Sequence, residues 1–306
     1  MAENDPFSQR DFRAAPRGAE AADALRREFS ELLRKDVEGT LGRLRDRGGR
    51  VVLNSDDLFK ILARYEANPP DRKWLGPLLY PVAAEFTDEI YERLLSRPVD
   101  ANDTVVFTAG GSATGKSTIL RTAGRRQGVD FIVDTTFSNA GRALWQVKKA
   151  LASGRKVEIY YVYRKFAESV RAMLKRALDP ESGRIVPIDD MARTHFGAQR
   201  AILEALMQYQ DDGSVSIVLY ENGSGGKLNA LSVEEFSRRL HPSIDKLQRI
   251  GQRVLNEFFE SETGRRSGHG GDQDSRGKGL HVSPEFYEAA RSKAQARGET
   301  PGKIDA

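Results

Sequence analysis

The 306-residue sequence has no cysteine, which excludes disulfides, cysteine-ligated zinc and thiol nucleophiles. It also lacks an apolar run long enough to span a bilayer, so a membrane protein is not expected. Residues 1–17 mix Asp, Glu and Arg without the apolar stretch of a secretory signal, and the cytoplasm is the expected location. Histidine is scarce. His195, His241, His269 and His281 are scattered without metal-ligand spacing and read as ordinary polar or capping residues. No Gly-x-Ser-x-Gly elbow marks a serine hydrolase. Nor is there a basic stripe interleaved with aromatics. A net charge of +4 with both signs interspersed argues against a nucleic-acid partner and suits a pocket for small polyanions.

What is present is a soluble composition, 39% hydrophobic and 30% charged, with length enough for a sizeable core. Residues 1–18 are polar and punctuated by Pro and Gly, and are expected to be mobile. From Ala19 to Arg47, apolar residues at three- and four-residue steps (Leu25, Phe29, Leu32, Leu33, Val37, Leu41, Leu44) predict one amphipathic helix stopped by Gly48-Gly49. A short strand over Arg50–Asn54 follows, then a helical stretch broken at Asn68-Pro69-Pro70, then a helix from about Pro81 to Leu95. This makes 19–103 a mainly helical N-terminal part. The centre alternates: strands at Thr104–Thr108, Asp130–Asp134, Val157–Tyr163 and Ser214–Tyr220 are separated by helices at Lys116–Arg125, Ala140–Ala152, Phe166–Leu178 and Asp189–Tyr209. Short, nearly continuous apolar strands between helices predict an α/β fold, a parallel sheet covered on both faces. A core at 104–260 thus ends in a helical pair over 232–260. From Ser261 to Gly279 the chain turns rich in Gly, Ser, Asp and Arg, and 261–306 is expected to be a flexible tail.

The chemistry is carried by Gly110-Gly111-Ser112-Ala113-Thr114-Gly115-Lys116-Ser117, with Thr118 beside it. Glycines let successive backbone N–H groups turn inward as an anion nest, and the helix that follows adds its positive end. In such a loop Lys116 meets the β- and γ-phosphates and the Ser117 hydroxyl is a magnesium ligand. The strand before and the helix after supply the required context. ATP and Mg2+ are therefore the expected donor and cofactor.

A phosphate loop alone does not choose a reaction. The guanine-reading Asn-Lys-x-Asp sequence is missing, and so is the apolar strand ending in Asp-Glu of motor ATPases. Arginines gather after the later strand, at Arg164, Arg171, Arg176, Arg184 and Arg193, where cations can steady charge on a phosphoryl group in flight; a solvated helix face is the alternative for any one of them. Transfer to an alcohol also needs a base and a carboxylate that helps hold magnesium. Asp134 ends the strand Phe131–Asp134, at the sheet edge where open α/β folds bind ligands. Asp56 ends a similar short strand; for either carboxylate a strand-end turn or helix cap is the alternative.

From the loop to about Gly223 these residues resemble the zeta-toxin-like P-loop kinases, the toxin component of bacterial epsilon–zeta modules. The likeness lies in the loop, in Ile132-Val-Asp-Thr-Thr136, in the strand Val157–Val162, in the helix with Lys175-Arg176, in Gly183-Arg-Ile-Val-Pro187 and in Val218–Asn222. The resemblance implies ATP-dependent phosphorylation of a hydroxyl of UDP-N-acetylglucosamine or a related nucleotide sugar, and an antitoxin-like protein partner. By it, Arg176 and Arg184 match the family's paired arginines, and Asp134 with Thr136 matches its acidic strand end. One departure stands out. The family's substrate-side aspartate lies between the loop helix and the acidic strand, where this chain has only the short gap Gly124–Asp130. Its counterpart here, Val52-Leu-Asn-Ser-Asp-Asp-Leu-Phe59, and the helix after it, through Thr87-Asp88, precede the loop. By position Asp56 is then the base and Asp88 a second carboxylate lining the site. A polynucleotide kinase, or an ATP-binding regulatory module without transfer, are the other readings of the same loop.

Overall fold

The computed structural model describes residues 19–46, 49–62, 72–100, 102–123, 127–177, 186–223 and 226–267. The chain divides into two units, 1–260 and 261–306. The expected mobile N-terminus and the proline break at 68–70 lie outside the described residues.

The first helical stretch is two helices, α1 (Ala19–Lys35) and α2 (Val37–Arg43), where one was expected. The division falls at Asp36, whose side chain accepts the Gly39 N–H at 2.8 Å and so starts a new helix. Leu25, Phe29 and Leu33 form the buried face of α1. Strand β1 (Val51–Leu53) leads into a single turn, α3 (Ser55–Leu58), and a 3₁₀ turn, Phe59–Ile61. Helix α4 (Arg72–Leu95) begins nine residues before the expected start at Pro81. Pro77 and Pro81 therefore sit inside it, each removing a helical N–H. Burial of Leu75, Leu79, Ala83, Phe86, Ile90, Tyr91 and Leu94 against the core outweighs that loss.

The remaining strands are β2 (Thr104–Ala109), β3 (Val129–Asp134), β4 (Lys156–Tyr163), β5 (Val215–Asn222) and β6 (Leu228–Ala230). The helices are α5 (Lys116–Ala123), α6 (Ala140–Ala152), α7 (Phe166–Ala177), α8 (Ile188–Tyr209), α9 (Val233–Arg238) and α10 (Ile244–Ser267). All six strands form one sheet in the order β1-β3-β2-β4-β5-β6. The first five run parallel, as expected, while β6 turns back antiparallel on β5. The sequence did not announce β6, because three residues are too few to show alternation. Where a flexible tail was expected from Ser261, the last helix continues to Ser267; residues 268–306 lie outside the described set.

Alternation along the strands covers both faces. Val105, Phe107, Phe131, Val133, Ile159 and Tyr161 join the larger core, which also takes in α1, α4, α6 and α8. Val106, Ile132, Tyr160 and Val162 point the other way, onto Ile119 and Leu120 of α5. This is the two-sided sheet predicted from the apolar strands. The topology also matters for the site. The chain leaves β2 for β3 on one side and later returns to β4 on the other. The carboxyl end of β2 is thus a switch point, where a crevice opens. Strand β1, although first in sequence, lies outside β3 in the same parallel register, with Leu53 opposite Val133.

Candidate active site

The loop between β2 and α5 holds its shape through unusual backbone angles: φ is +134° at Gly110, +60° at Ala113 and +102° at Gly115. Left-handed angles interspersed among ordinary ones turn amides toward one point. Every carbonyl from Gly110 to Gly115 has a donor. Lys116 Nζ reaches Gly110 O at 3.0 Å and Gly111 O at 3.1 Å. His195 Nε2 donates to Ser112 O at 2.9 Å, Arg164 Nη1 to Ala113 O at 3.3 Å, and Asn222 Nδ2 to Thr114 O at 2.7 Å. The Thr118 N–H takes Gly115 O at 3.0 Å, the first bond of α5. Thr194 Oγ1 lies 3.3 Å from Ser112 Oγ and accepts the Ser112 N–H at 3.4 Å. Ser117 faces solvent at the helix start.

Beside the loop stand the carboxylates. Asp134, at the end of β3, accepts from Thr108 Oγ1 at 2.6 Å and from Asn54 Nδ2 at 2.9 Å. Burial pushes its pKa above the ordinary carboxylate value; Lys116 and the Thr108 hydroxyl pull it down, and the nearby Asp56 and Asp57 push it up. Three carboxylates and one ammonium thus share this end of the sheet. Asn54 also caps α3, its Oδ1 accepting the Asp56 N–H at 2.9 Å, so Asp56 stands in the first helical turn. The cap of this turn is therefore Asn54 and not Asp56, which stands inside the turn and close enough to Asp134 to raise its pKa. Ser55 Oγ meets Thr87 Oγ1 of α4 at 3.1 Å. The next residue, Asp88, is held by Arg142 (2.7 Å) and Gln146 (3.2 Å) of α6. It is thus tied to α6 through Arg142 and Gln146. Thr136 O accepts the Gly110 N–H at 3.1 Å, and its hydroxyl pairs with Ser138.

The arginines separate into different surroundings. Arg164 touches the loop. Arg176 lies exposed in the last turn of α7, while Arg171 pairs with Glu257 and Arg193 with Asp190 on the surface. Arg184 lies outside the described residues. Among the described residues no group of three or more His, Asp or Glu forms a metal cage, and no helix is long and apolar enough to cross a membrane.

Several residues of this site were not singled out from the sequence. Asn54 and Thr108 are polar residues at the ends of apolar strands, and that is the signal the sequence carries for them. Asn222 likewise closes a strand. His195 is expected from the sequence to be an ordinary polar residue. It is instead buried under the loop, with its pKa lowered to about 3 by burial. A Cβ on Gly111 would stand 2.0 Å from its ring, so glycine is required there by close approach.

The Zeta toxin family matches residues 122–225, from within α5 to just past β5. No curated protein matches the chain. Similar solved structures include the AvrRxo1-ORF1:AvrRxo1-ORF2 complex with sulphate ions, at 13% identity and a TM-score of 0.43, covering 80% of this chain and 91% of that one. The AvrRxo1-ORF1:-ORF2 complex with ATP follows at 14% and 0.38, covering 61% and 79%. The PezAT chromosomal toxin–antitoxin system of Streptococcus pneumoniae stands at 12% and 0.36, covering 76% and 82%. From residue 122 to residue 225 this chain is zeta-toxin-like in sequence, and it carries that segment on a P-loop kinase-like α/β sheet.

Proposed function

We propose that this protein is a kinase that moves the γ-phosphate of ATP to a hydroxyl of a small metabolite, a nucleotide sugar such as UDP-N-acetylglucosamine being the acceptor class favoured. The observation that carries this reading is the meeting of three chain segments at one sheet edge. The phosphate loop, the acidic strand end Asp134 and the Asn54–Asp56 turn converge there although the last precedes the loop in sequence. The zeta-toxin-like sequence of 122–225 supports the reaction class.

In this reading the loop from Gly110 to Thr118 binds the triphosphate. Lys116 now lies against its own loop carbonyls and would turn to the β- and γ-phosphates. Asp56 accepts the proton of the acceptor hydroxyl as its oxygen forms a bond to the γ-phosphorus and the bond to the ADP oxygen breaks. Arg176 and Arg184 neutralise charge on the transferring group. Thr136 and Asp88 line the acceptor side. A hydroxyl and a carboxylate beside a triphosphate suit magnesium, which takes only one or two protein oxygens; Ser117 and Asp134 would hold it, and it would offset phosphate charge. The crowding of Asp134 by Asp56 and Asp57 fits that role, since a carboxylate so placed favours a cation. An antitoxin-like partner belongs to the same reading through the family.

The test is a mass-spectrometric screen of metabolites phosphorylated by the purified protein. Wild type should release ADP in step with one phosphorylated acceptor, and Lys116→Ala and Asp56→Ala should not. If ADP release needs no acceptor, or Asp56→Ala works as wild type does, the assignment is wrong.

A further inference from the structure

The peptide carbonyls of Ser112, Ala113 and Thr114 are each taken by a side chain from a different later segment of the chain: His195 on α8, Arg164 just past β4, and Asn222 ending β5. We propose that these three side chains act as a clamp that positions the phosphate loop for a triphosphate before any nucleotide arrives. The argument is geometric. In a planar trans peptide the carbonyl of one residue and the N–H of the next point in opposite directions, and no peptide bond among the described residues is cis. Pulling the Ser112, Ala113 and Thr114 carbonyls outward therefore turns the N–H groups of Ala113, Thr114 and Gly115 the other way, toward the mouth of the loop.

The three clamps differ in kind from the two contacts of Lys116 with Gly110 O and Gly111 O. Those use the group that must leave for the phosphates. The clamps use side chains anchored elsewhere and can remain while ligand binds. Two of them are wedged against glycine: a Cβ on Gly111 would stand 2.0 Å from the His195 ring, and one on Gly115 would stand 2.3 Å from Asn222 Nδ2. His195 is also fixed from behind by Phe166, edge-on at 5.0 Å. Because Ser112 O can only accept, the proton of the ring must sit on Nε2. Donors already held in place cost no reorganisation when charge appears, which is how preorganised loops gain affinity.

This inference rests on the loop being a triphosphate site and not on which acceptor is used. Its test is calorimetric titration of wild type, His195→Ala, His195→Gln and Asn222→Ala with Mg-ATP and with inorganic tripolyphosphate, alongside thermal melts. The loss of one such hydrogen bond should weaken both ligands about tenfold. Gln, whose amide nitrogen can reach the same carbonyl, should recover most of that affinity, while a filler of space alone would not. Melting temperature need not follow the same order, since Gln also loses the aromatic packing. If His195→Ala and Asn222→Ala bind both ligands as wild type does, or if Gln behaves as Ala does, the clamp is refuted. If wild type itself binds neither ligand, the loop is no triphosphate site and the kinase reading falls with it.

Discussion

Asn54 Nδ2 donates to Asp134 Oδ2 at 2.9 Å, joining a strand end that precedes the phosphate loop to one that follows it. The same side chain accepts the Asp56 N–H through its oxygen. One amide therefore fixes both carboxylates on which the proposed chemistry depends. The contact also shows why the early placement of the β1 segment is tolerated. What matters to the site is that β1 lies parallel beside β3, and the sheet permits that from either side of the loop in sequence.

Asn54→Ala removes the cap and the donor together. It should lower stability by about 1 kcal/mol, the usual cost of an N-cap, and reduce acceptor-dependent ADP release much further. Asn54→Asp keeps a capping oxygen but sets a carboxylate against Asp134. Its melting temperature should recover part of the loss while its phosphate transfer stays low. Wild-type turnover in Asn54→Asp would show that the Asn54–Asp134 bond plays no part in transfer.

Asp134 gives a pH dependence with a definite sign. Its folded pKa is raised, so its neutral form is favoured in the native state. The stability linked to it is complete below the unfolded carboxylate value and is lost as pH rises through the folded one. Asp134→Asn removes that loss. In denaturant unfolding without nucleotide, the variant should gain on wild type as pH rises from acid toward neutrality. Adding Mg-ATP should stabilise wild type and leave the variant largely unmoved.

The histidines act in the opposite direction. Burial lowers the pKa of His195 to about 3 and that of His241 to about 4. Their linked stability is complete above the unfolded value of 6.5 and is lost as pH falls from there toward the folded values. His195→Gln should therefore show a shallower loss of stability between pH 6.5 and 4 than wild type. Equal slopes for the two proteins would mean that His195 is not held neutral in the fold.

Much of this was legible in the residues. The strands were, because apolar runs of five to seven residues between helices have few other readings. So was the phosphate loop, whose spacing and context agree. Asp134 was legible as a polar residue closing an apolar strand. The boundaries that failed did so where side chains decide locally or tertiary burial overrides propensity: Asp36 splits a helix whose apolar period continues unbroken, and α4 runs through Pro77 and Pro81. The contacts around the loop were not legible, since His195, Arg164 and Asn222 lie far apart in sequence and meet only through the order of strands. The roles of the individual arginines were not legible for the same reason. Spacing alone does not separate Arg164, which touches the loop, from Arg171 and Arg193, which pair on the surface.

Arg155 is nearly fully buried, which nothing in its sequence context announces. Its Nε pairs with Asp130 at 2.7 Å, its Nη1 donates to Leu95 O at 3.0 Å and Ser153 Oγ at 3.1 Å, and its Nη2 donates to Leu94 O at 3.2 Å and Arg97 O at 3.3 Å. The guanidinium thus satisfies the open carbonyls at the end of α4 and ties them to the starts of β3 and β4, at the sheet edge opposite the loop. Removing it strands Asp130 and three carbonyls together, so Arg155→Met should cost about 3–5 kcal/mol. Arg155→Lys should recover little, since one ammonium cannot reproduce the planar fork. Because Arg155 is remote from the loop, whatever protein stays folded at low temperature should keep the wild-type affinity for Mg-ATP. Urea unfolding together with nucleotide titration measures both quantities. A stable Lys variant would show that a single donor is enough, and weakened nucleotide binding in folded protein would show that this end of the sheet reaches the loop.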